Sequence, residues 1–284
     1  MNRKGSFKLE AKKIGFIGAG NMATALIGGL ISDDDILPGN IIVSDINDQH
    51  LNDMESKFGI RSSGDNIKCV EYADVVVICV KPQMMNQICK EIAETVSLKQ
   101  SLIISVAAGI TTENFGNWLG GKTSVVRAMP NTPALIKTGA AGLFANENVS
   151  LAQKEIAENI LRAVGVVLWV DKEKDMDHVT ALSGSGPAYF FRMMEAMENA
   201  AIELGLEKET AHILTLQTAL GAAKLAIESS DSISELRKKV TSPGGTTAKG
   251  LSTMQEEGVD GMFQKTLQAA SNRAEELSKE YGES

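Results

Sequence analysis

Cysteine is scarce in this chain of 284 residues. There are three, Cys69, Cys79 and Cys89. An odd number and no leader pattern argue against a disulfide framework. Cys79 lies inside an apolar run and is expected in the core. Histidine is as rare, and His50, His178 and His212 are too scattered to form a ligand cluster, so no metal site is expected. Positive charge is in deficit: 28 Lys and Arg against 36 Asp and Glu leave a net charge of -8. That argues against a nucleic-acid surface, which should be basic. The one basic run, Arg237, Lys238 and Lys239, reads as a solvated helix face. No stretch approaches the roughly eighteen apolar residues of a membrane span. The opening MNRKGSFKLEAKK has no apolar leader core, so a cytoplasmic protein is expected. Neither an internal repeat nor a low-complexity linker is visible.

What remains is an ordinary globular composition, 43% hydrophobic and 23% charged, long enough for one or two domains. The first half alternates short apolar runs with helical spacing. KKIGFIG, NIIVSD, ADVVVICVKP, SLIISVAAG and TSVVRAMP read as strands, and GAAGLFAN and GVVLWVD as two more. NMATALIGGLIS and NDQHLNDMESKFG read as helices between them. Apolar strands separated by helices imply a mostly parallel sheet covered on both faces, a doubly wound fold. After about residue 171 only helical patterns follow. The expected division is therefore residues 1–170, an α/β domain, and residues 171–284, an all-α domain. Within the latter, residues 212–227 are apolar or small almost all round. Such a helix belongs in a core or in a dimer interface, and the two readings are not exclusive.

Two glycine-rich turns carry the chemistry. In IGFIGAGNMA, Gly18, Gly20 and Ala23 fit G-x-G-x-x-A, with Gly15 before them. Gly18 permits a tight turn, Gly20 lets backbone approach a pyrophosphate, and Ala23 lets helix and strand pack closely. The turn follows a strand and opens a helix, the context that a dinucleotide fingerprint requires. Asp45, 22 residues past Ala23 at the end of the second strand, suits a ribose 2′-hydroxyl and so NAD over NADP. The second turn, TSPGGTTAKG, exposes backbone donors and hydroxyls with no acid, base or metal ligand beside it. Such a turn can hold a carboxylate without a charged side chain. Three further stretches stand out: VKP and RAMPNTPA at strand ends, and SGSGPAY, which places a proline where a helix begins.

With GFIGAGNMA, VKP, RAMPNTPA, LSGSGPAY and above all VTSPGGTT, the chain resembles the pyrroline-5-carboxylate reductases from Ile14 to about Ala270. The resemblance implies a Rossmann-like domain, a helical dimerisation domain, and reduction of 1-pyrroline-5-carboxylate to L-proline by NADPH or NADH. It implies a homodimer that assembles into rings of five dimers in some relatives. Ser242, Gly244, Gly245, Thr246 and Thr247 would hold the substrate, with the Thr247 hydroxyl, the catalytic candidate, on the ring nitrogen. Cofactor contacts would come from Gly18, Gly20, Asn21, Met22 and Ala23, from Ser44 and Asp45, from Val80, Lys81 and Pro82, from Ala107, Ala108 and Gly109, and from Asn131. Two departures stand beside this: residues 230–233 read SDSI where relatives have a Gly-Glu-His-Pro type of segment, and Asp45 argues against the NADPH that many relatives favour. The alternatives are a 3-hydroxyacid dehydrogenase, which would want a lysine as proton acceptor in the SGSGPAYFFRMM region and lacks it there, and a non-catalytic NAD(P)-sensing protein, which has no reason to keep TSPGGTT.

Overall fold

The computed structural model describes residues 9–282; most of the amino-terminal segment screened for a leader lies outside them. In chain order the first part runs β1 (Ile14–Ile17), α1 (Asn21–Ser32), β2 (Ile41–Ser44), α2 (Asp48–Phe58), β3 (Arg61–Ser63), α3 (Asn66–Tyr72), β4 (Val75–Ile78), α4 (Met85–Lys99), β5 (Leu102–Ser105), α5 (Thr112–Leu119), β6 (Val125–Met129), β7 (Gly139–Ala145), α6 (Leu151–Arg162) and β8 (Gly165–Trp169). Every residue of β1, β2, β4 and β5 is buried, which is why their sequences are continuously apolar instead of alternating. Side chains still alternate between faces. Phe16, Val75, Val77 and Ile104 pack with Leu26 and Leu30 of α1 and Ile160 of α6. Ile17, Val76, Ile78 and Ile103 pack on the other face with Ile88 and Ile92 of α4 and Phe115 of α5.

The sheet has eight strands in the order β3-β2-β1-β4-β5-β6-β7-β8. Every pairing is parallel except β6 with β7. The exception follows from chain length. Between Met129 and Gly139 lies only a loop with a 3-10 turn at Thr132–Ile136, too short for a parallel crossover. The sheet is thus mostly parallel, as expected. It has one strand more than the sequence pattern suggested: β3 is a three-residue edge strand, Arg-Ser-Ser, with no apolar signal.

Past Trp169 no further strand occurs among the described residues. α7 (Asp175–Val179) leads through a wide π turn, Thr180–Gly184, to α8 (Gly186–Glu203). Then come α9 (Lys208–Glu228), α10 (Ile233–Lys239), α11 (Thr246–Glu256) and α12 (Val259–Gly282). The chain divides into two compact units: Met1–Ser185 with Ala270–Ser284, and Gly186–Ala269. The strand pattern ends close to the expected boundary at residue 170. The compact unit continues to Ser185, because Val179 fills the space beside Gly142 of β7. It also regains the last turns of α12, where Leu277 and Tyr281 lie against Gly109.

In the second unit α9 is not enclosed. Only Ala211 and Thr215 are buried, while Ile213, Leu220 and Ile227 are 56%, 61% and 82% exposed. The central-core reading of residues 212–227 is therefore not what the single chain shows. Phe190 and Phe191 of α8 are exposed as well. An apolar surface of this extent calls for a partner. The run Arg237, Lys238 and Lys239 is exposed at the end of α10, as expected of a solvated face.

Candidate functional site

β1 lies between β2 and β4, the point where strand order reverses, and ligands in open α/β sheets sit at the carboxyl ends of strands there. Gly18 has φ +96, and a Cβ there would lie 2.8 Å from the Cys79 carbonyl oxygen. The Gly18 N–H donates to the Ser44 oxygen at 2.7 Å. Gly18 is thus a glycine for reasons internal to the fold. Gly20 is different. As N-cap of α1 it is extended (φ −78, ψ −173), a shape open to any residue, and a Cβ would meet nothing within 4 Å. Its missing side chain answers to no protein contact and suits a group bound against the turn. No side chain caps α1, so the N–H groups of Asn21, Met22 and Ala23 open a helix with the donors and partial positive charge that bind phosphate. The donor set fits a nicotinamide dinucleotide.

Asp45, the residue after β2, has a task inside the fold. Its Oδ2 accepts the Ala19 N–H at 2.7 Å and its Oδ1 accepts the Asn47 N–H at 2.9 Å. The carboxylate therefore shapes the glycine turn. His50 Nδ1 lies 3.8 Å from Oδ2. Beside it Ile46 is 89% exposed, an apolar side chain held in solvent. Val80, Lys81 and Pro82 follow β4 at the same end of the sheet, and Lys81 is exposed. Ala107, Ala108 and Gly109 follow β5.

Three expected cofactor contacts have other occupations. Ser44 is fully buried and its hydroxyl donates to Asn66 Oδ1 at 2.8 Å, so it supports the cradle from behind. Gly109 (φ +75) is buried under Leu277 and Tyr281. Asn131 spends its amide on the fold: Nδ2 donates to the Ser183 oxygen and Oδ1 accepts the Ala140 N–H, both at 2.9 Å. Each type is small or polar at a strand end, the same signal that a ligand contact gives.

Arg127 of β6 was legible only as part of a strand-end motif. It is 5% exposed and pairs with Glu173 Oε1 at 2.8 Å. Glu173 also accepts the N–H and the hydroxyl of Thr112 at 2.7 Å each. This network ties the segment after β8 to the start of α5, just past residues 107–109. Burial raises the carboxyl pKa of the nearby Asp177; Arg127 counters this, while Glu275 and Glu173 add to it. Cys69 and Cys89 are buried, and burial pushes both thiols up to about 12, which leaves them unreactive. Cys79, expected in the core, is half-buried just past β4 but packs against the core, and burial pushes its thiol up to about 12 as well.

The second turn belongs to the second unit. The Gly245 N–H donates to the Ser242 oxygen at 3.0 Å, and Gly244 has φ +70. Proline in second place and a left-handed glycine in third make a type II turn. Because the Gly245 N–H closes the turn, it is not the free donor expected of it. The donors that remain are on Gly244 and in the first turn of α11, which has no side-chain cap. A Cβ on Gly244 would meet nothing within 4 Å. Ser242, Thr246 and Thr247 are exposed, whereas the neighbouring Thr241 hydroxyl is spent on the Arg237 oxygen. In the departing segment 230–233, Ser232 caps α10 in a capping box with Glu235.

Residues 173–277 match the family described as pyrroline-5-carboxylate reductase dimerisation. Residues 13–109 match NADP oxidoreductase, coenzyme F420-dependent. The chain is 47% identical over 275 residues to the pyrroline-5-carboxylate reductase of Pseudomonas aeruginosa, covering 97% of this chain and all of that one. The pyrroline-5-carboxylate reductase structure from Coxiella burnetii superposes with TM-score 0.91 at 46% identity, over 95% of this chain and 99% of that one. The pyrroline carboxylate reductase of Plasmodium falciparum, solved with NADP bound, gives TM-score 0.83 at 28% identity, over 95% and 99%. No described helix is long and apolar enough to cross a membrane. The dimerisation match spans the exposed α8 and α9 and supports self-association, the oxidoreductase match spans the glycine turn and supports a nicotinamide cofactor, and this chain belongs to the pyrroline-5-carboxylate reductase family.

Proposed function

We propose that the protein reduces 1-pyrroline-5-carboxylate to L-proline, the last step of proline biosynthesis, with hydride from a reduced nicotinamide cofactor. One observation carries this beyond family membership: the loop of residues 242–247 joins open backbone donors to exposed hydroxyls and contains no ionisable side chain. It suits a small ring with one carboxylate and one C=N bond. The first-turn N–H groups of α11 and the Ser242 hydroxyl hold the carboxylate. Gly244 keeps the space above the turn clear. The Thr247 hydroxyl meets the ring nitrogen and orients the ring. The bound cofactor supplies the hydride, and the chain supplies orientation and a fixed field of donors. No general base is required when the imine already carries its proton, which separates this site from alcohol dehydrogenation.

On the cradle, Gly20 and the N–H groups of Asn21, Met22 and Ala23 face the pyrophosphate. Asp45 takes the ribose hydroxyls, which favours NADH at least equally with NADPH. The exposed Ile46 covers one face of the adenine. Val80, Lys81 and Pro82 with Ala107 and Ala108 border the nicotinamide half. The helical units of two chains interlock through α8 and α9, and a pentamer of dimers in the cytoplasm is the assembly that the family resemblance favours.

Thr247→Ala tests the substrate loop. Losing one hydrogen bond to a charged group costs about 1.5–3 kcal/mol, so kcat/KM for pyrroline carboxylate should fall roughly ten- to hundredfold. Affinity for NADH or NADPH should stay within about twofold, because the glycine turn of the other unit is untouched. Unchanged kcat/KM, or a loss of cofactor affinity instead, would show that the carboxylate and nitrogen are held elsewhere.

A further inference from the structure

The last turn of α12 returns to the first unit and meets two cofactor-bordering loops at once. Gln83 Nε2, one residue past Pro82, donates to the Tyr281 hydroxyl at 3.1 Å. On the other side, a Cβ placed on Gly109 would lie 3.2 Å from Tyr281 Cδ2 and 3.4 Å from Leu277 Cβ. Gly109 is left-handed (φ +75), so its backbone shape favours glycine, and a Cβ there would press on the ring above it. Tyr281 is half-buried against the cluster that contains Met85, Ala107 and Ile110. One turn end thus touches the loop after β4 by its hydroxyl and the loop after β5 by its ring. The next residue, Gly282, seats against Asn114, which is part of the capping box that starts α5.

We propose that Tyr281 is a positioning residue, a brace that fixes the loops at residues 80–84 and 107–109 relative to one another and so sets the width of the nicotinamide half of the cradle. The inference rests on the cofactor reading above. Loops connecting strands to helices are the mobile parts of an α/β fold, and ordering them on binding costs affinity. A side chain that ties both before the cofactor arrives removes that cost. The ring does so by contact and the hydroxyl by its bond to Gln83, so the two parts can be separated by mutation.

The test uses full-length Tyr281→Ala, Tyr281→Phe and Gln83→Ala, with NADPH and NADH binding measured by calorimetry and steady-state kinetics alongside. Tyr281→Ala should weaken cofactor binding about tenfold, since two loops must then order on binding. Cofactor KM should rise in step, while KM for pyrroline carboxylate and kcat at saturating cofactor stay within about twofold. Tyr281→Phe and Gln83→Ala each lose only an exposed hydrogen bond, so each should weaken cofactor binding about threefold and equally. A folded Tyr281→Ala with wild-type cofactor affinity overturns the brace. If that variant does not fold, wild-type affinity in both of the others overturns it. A wild-type chain that binds neither cofactor overturns the cofactor reading and the brace together, whereas normal wild-type binding with unaffected variants removes the brace alone.

Discussion

Replacing Gly20 with valine separates what the fold needs from what the ligand needs. The backbone at Gly20 is extended, and a Cβ there meets no atom within 4 Å. The folded chain therefore accepts valine at the cost of a poorer N-cap, about 1 kcal/mol, or roughly 2–4 °C in Tm for a chain of this size. The cofactor cannot accept it. The side chain would occupy the space through which a pyrophosphate reaches the N–H groups of α1. Losing two charge-assisted hydrogen bonds at about 1.5–3 kcal/mol each removes about 3–6 kcal/mol, roughly two to four powers of ten in Kd. Gly18→Val inverts the pattern. Its Cβ would lie 2.8 Å from the Cys79 oxygen with φ +96, so strain of about 1–3 kcal/mol plus the clash falls on folding itself. Calorimetric titration with NADPH and NADH, beside thermal unfolding, reads both variants. A stable Gly20→Val chain that binds cofactor with wild-type affinity would refute the assignment of the glycine turn.

Further outcomes follow from the same geometry. Asp45→Ser should shift the ratio of kcat/KM values toward NADPH by removing a charge that repels a 2′-phosphate. Because Asp45 also holds the Ala19 N–H, affinity for both cofactors should fall somewhat, and an unchanged ratio would show that the carboxylate serves the turn alone. Leu220 is 61% exposed in the single chain, so Leu220→Arg should be harmless unless a partner buries it. Light scattering should then show monomer or insoluble chain, since an unpaired buried charge is costly, and a folded variant of unchanged mass would remove α9 from the interface. Asp177→Asn should raise Tm near neutral pH. Burial raises the folded pKa of this carboxyl, so its charged form is penalised above that pKa, and the penalty fades as pH falls below the ordinary carboxyl range near 4. A Tm gain that persists undiminished at pH 3 would point to another cause.

The doubly wound sheet was readable because its central strands are buried on both faces and so are continuously apolar. The same signal could not reveal β3, whose Arg-Ser-Ser lies at the edge, nor α3, a short helix whose start is capped by Asp65. The antiparallel turn of β7 was hidden too, because its direction depends on loop length and not on side chains. The two glycine turns, one in each unit, were legible as motifs, and the left-handed Gly18 and Gly244 give the physical reason. Burial was not legible: Ser44, Gly109 and Asn131 look like ligand contacts in sequence, yet each is occupied within the fold. Gln83 and Tyr281 were invisible because they meet across a separation of 198 residues.

The central claim is that hydride passes from a nicotinamide cofactor to the ring carbon of pyrroline-5-carboxylate. The direct measurement is to incubate the protein with pyrroline-5-carboxylate and NADH or NADPH carrying deuterium at both C4 positions, and to weigh the product by mass spectrometry. The account predicts L-proline one mass unit heavier than the unlabelled product, with the deuterium on the carbon of the former C=N bond. Unlabelled proline, or consumption of cofactor with no proline formed, would contradict it.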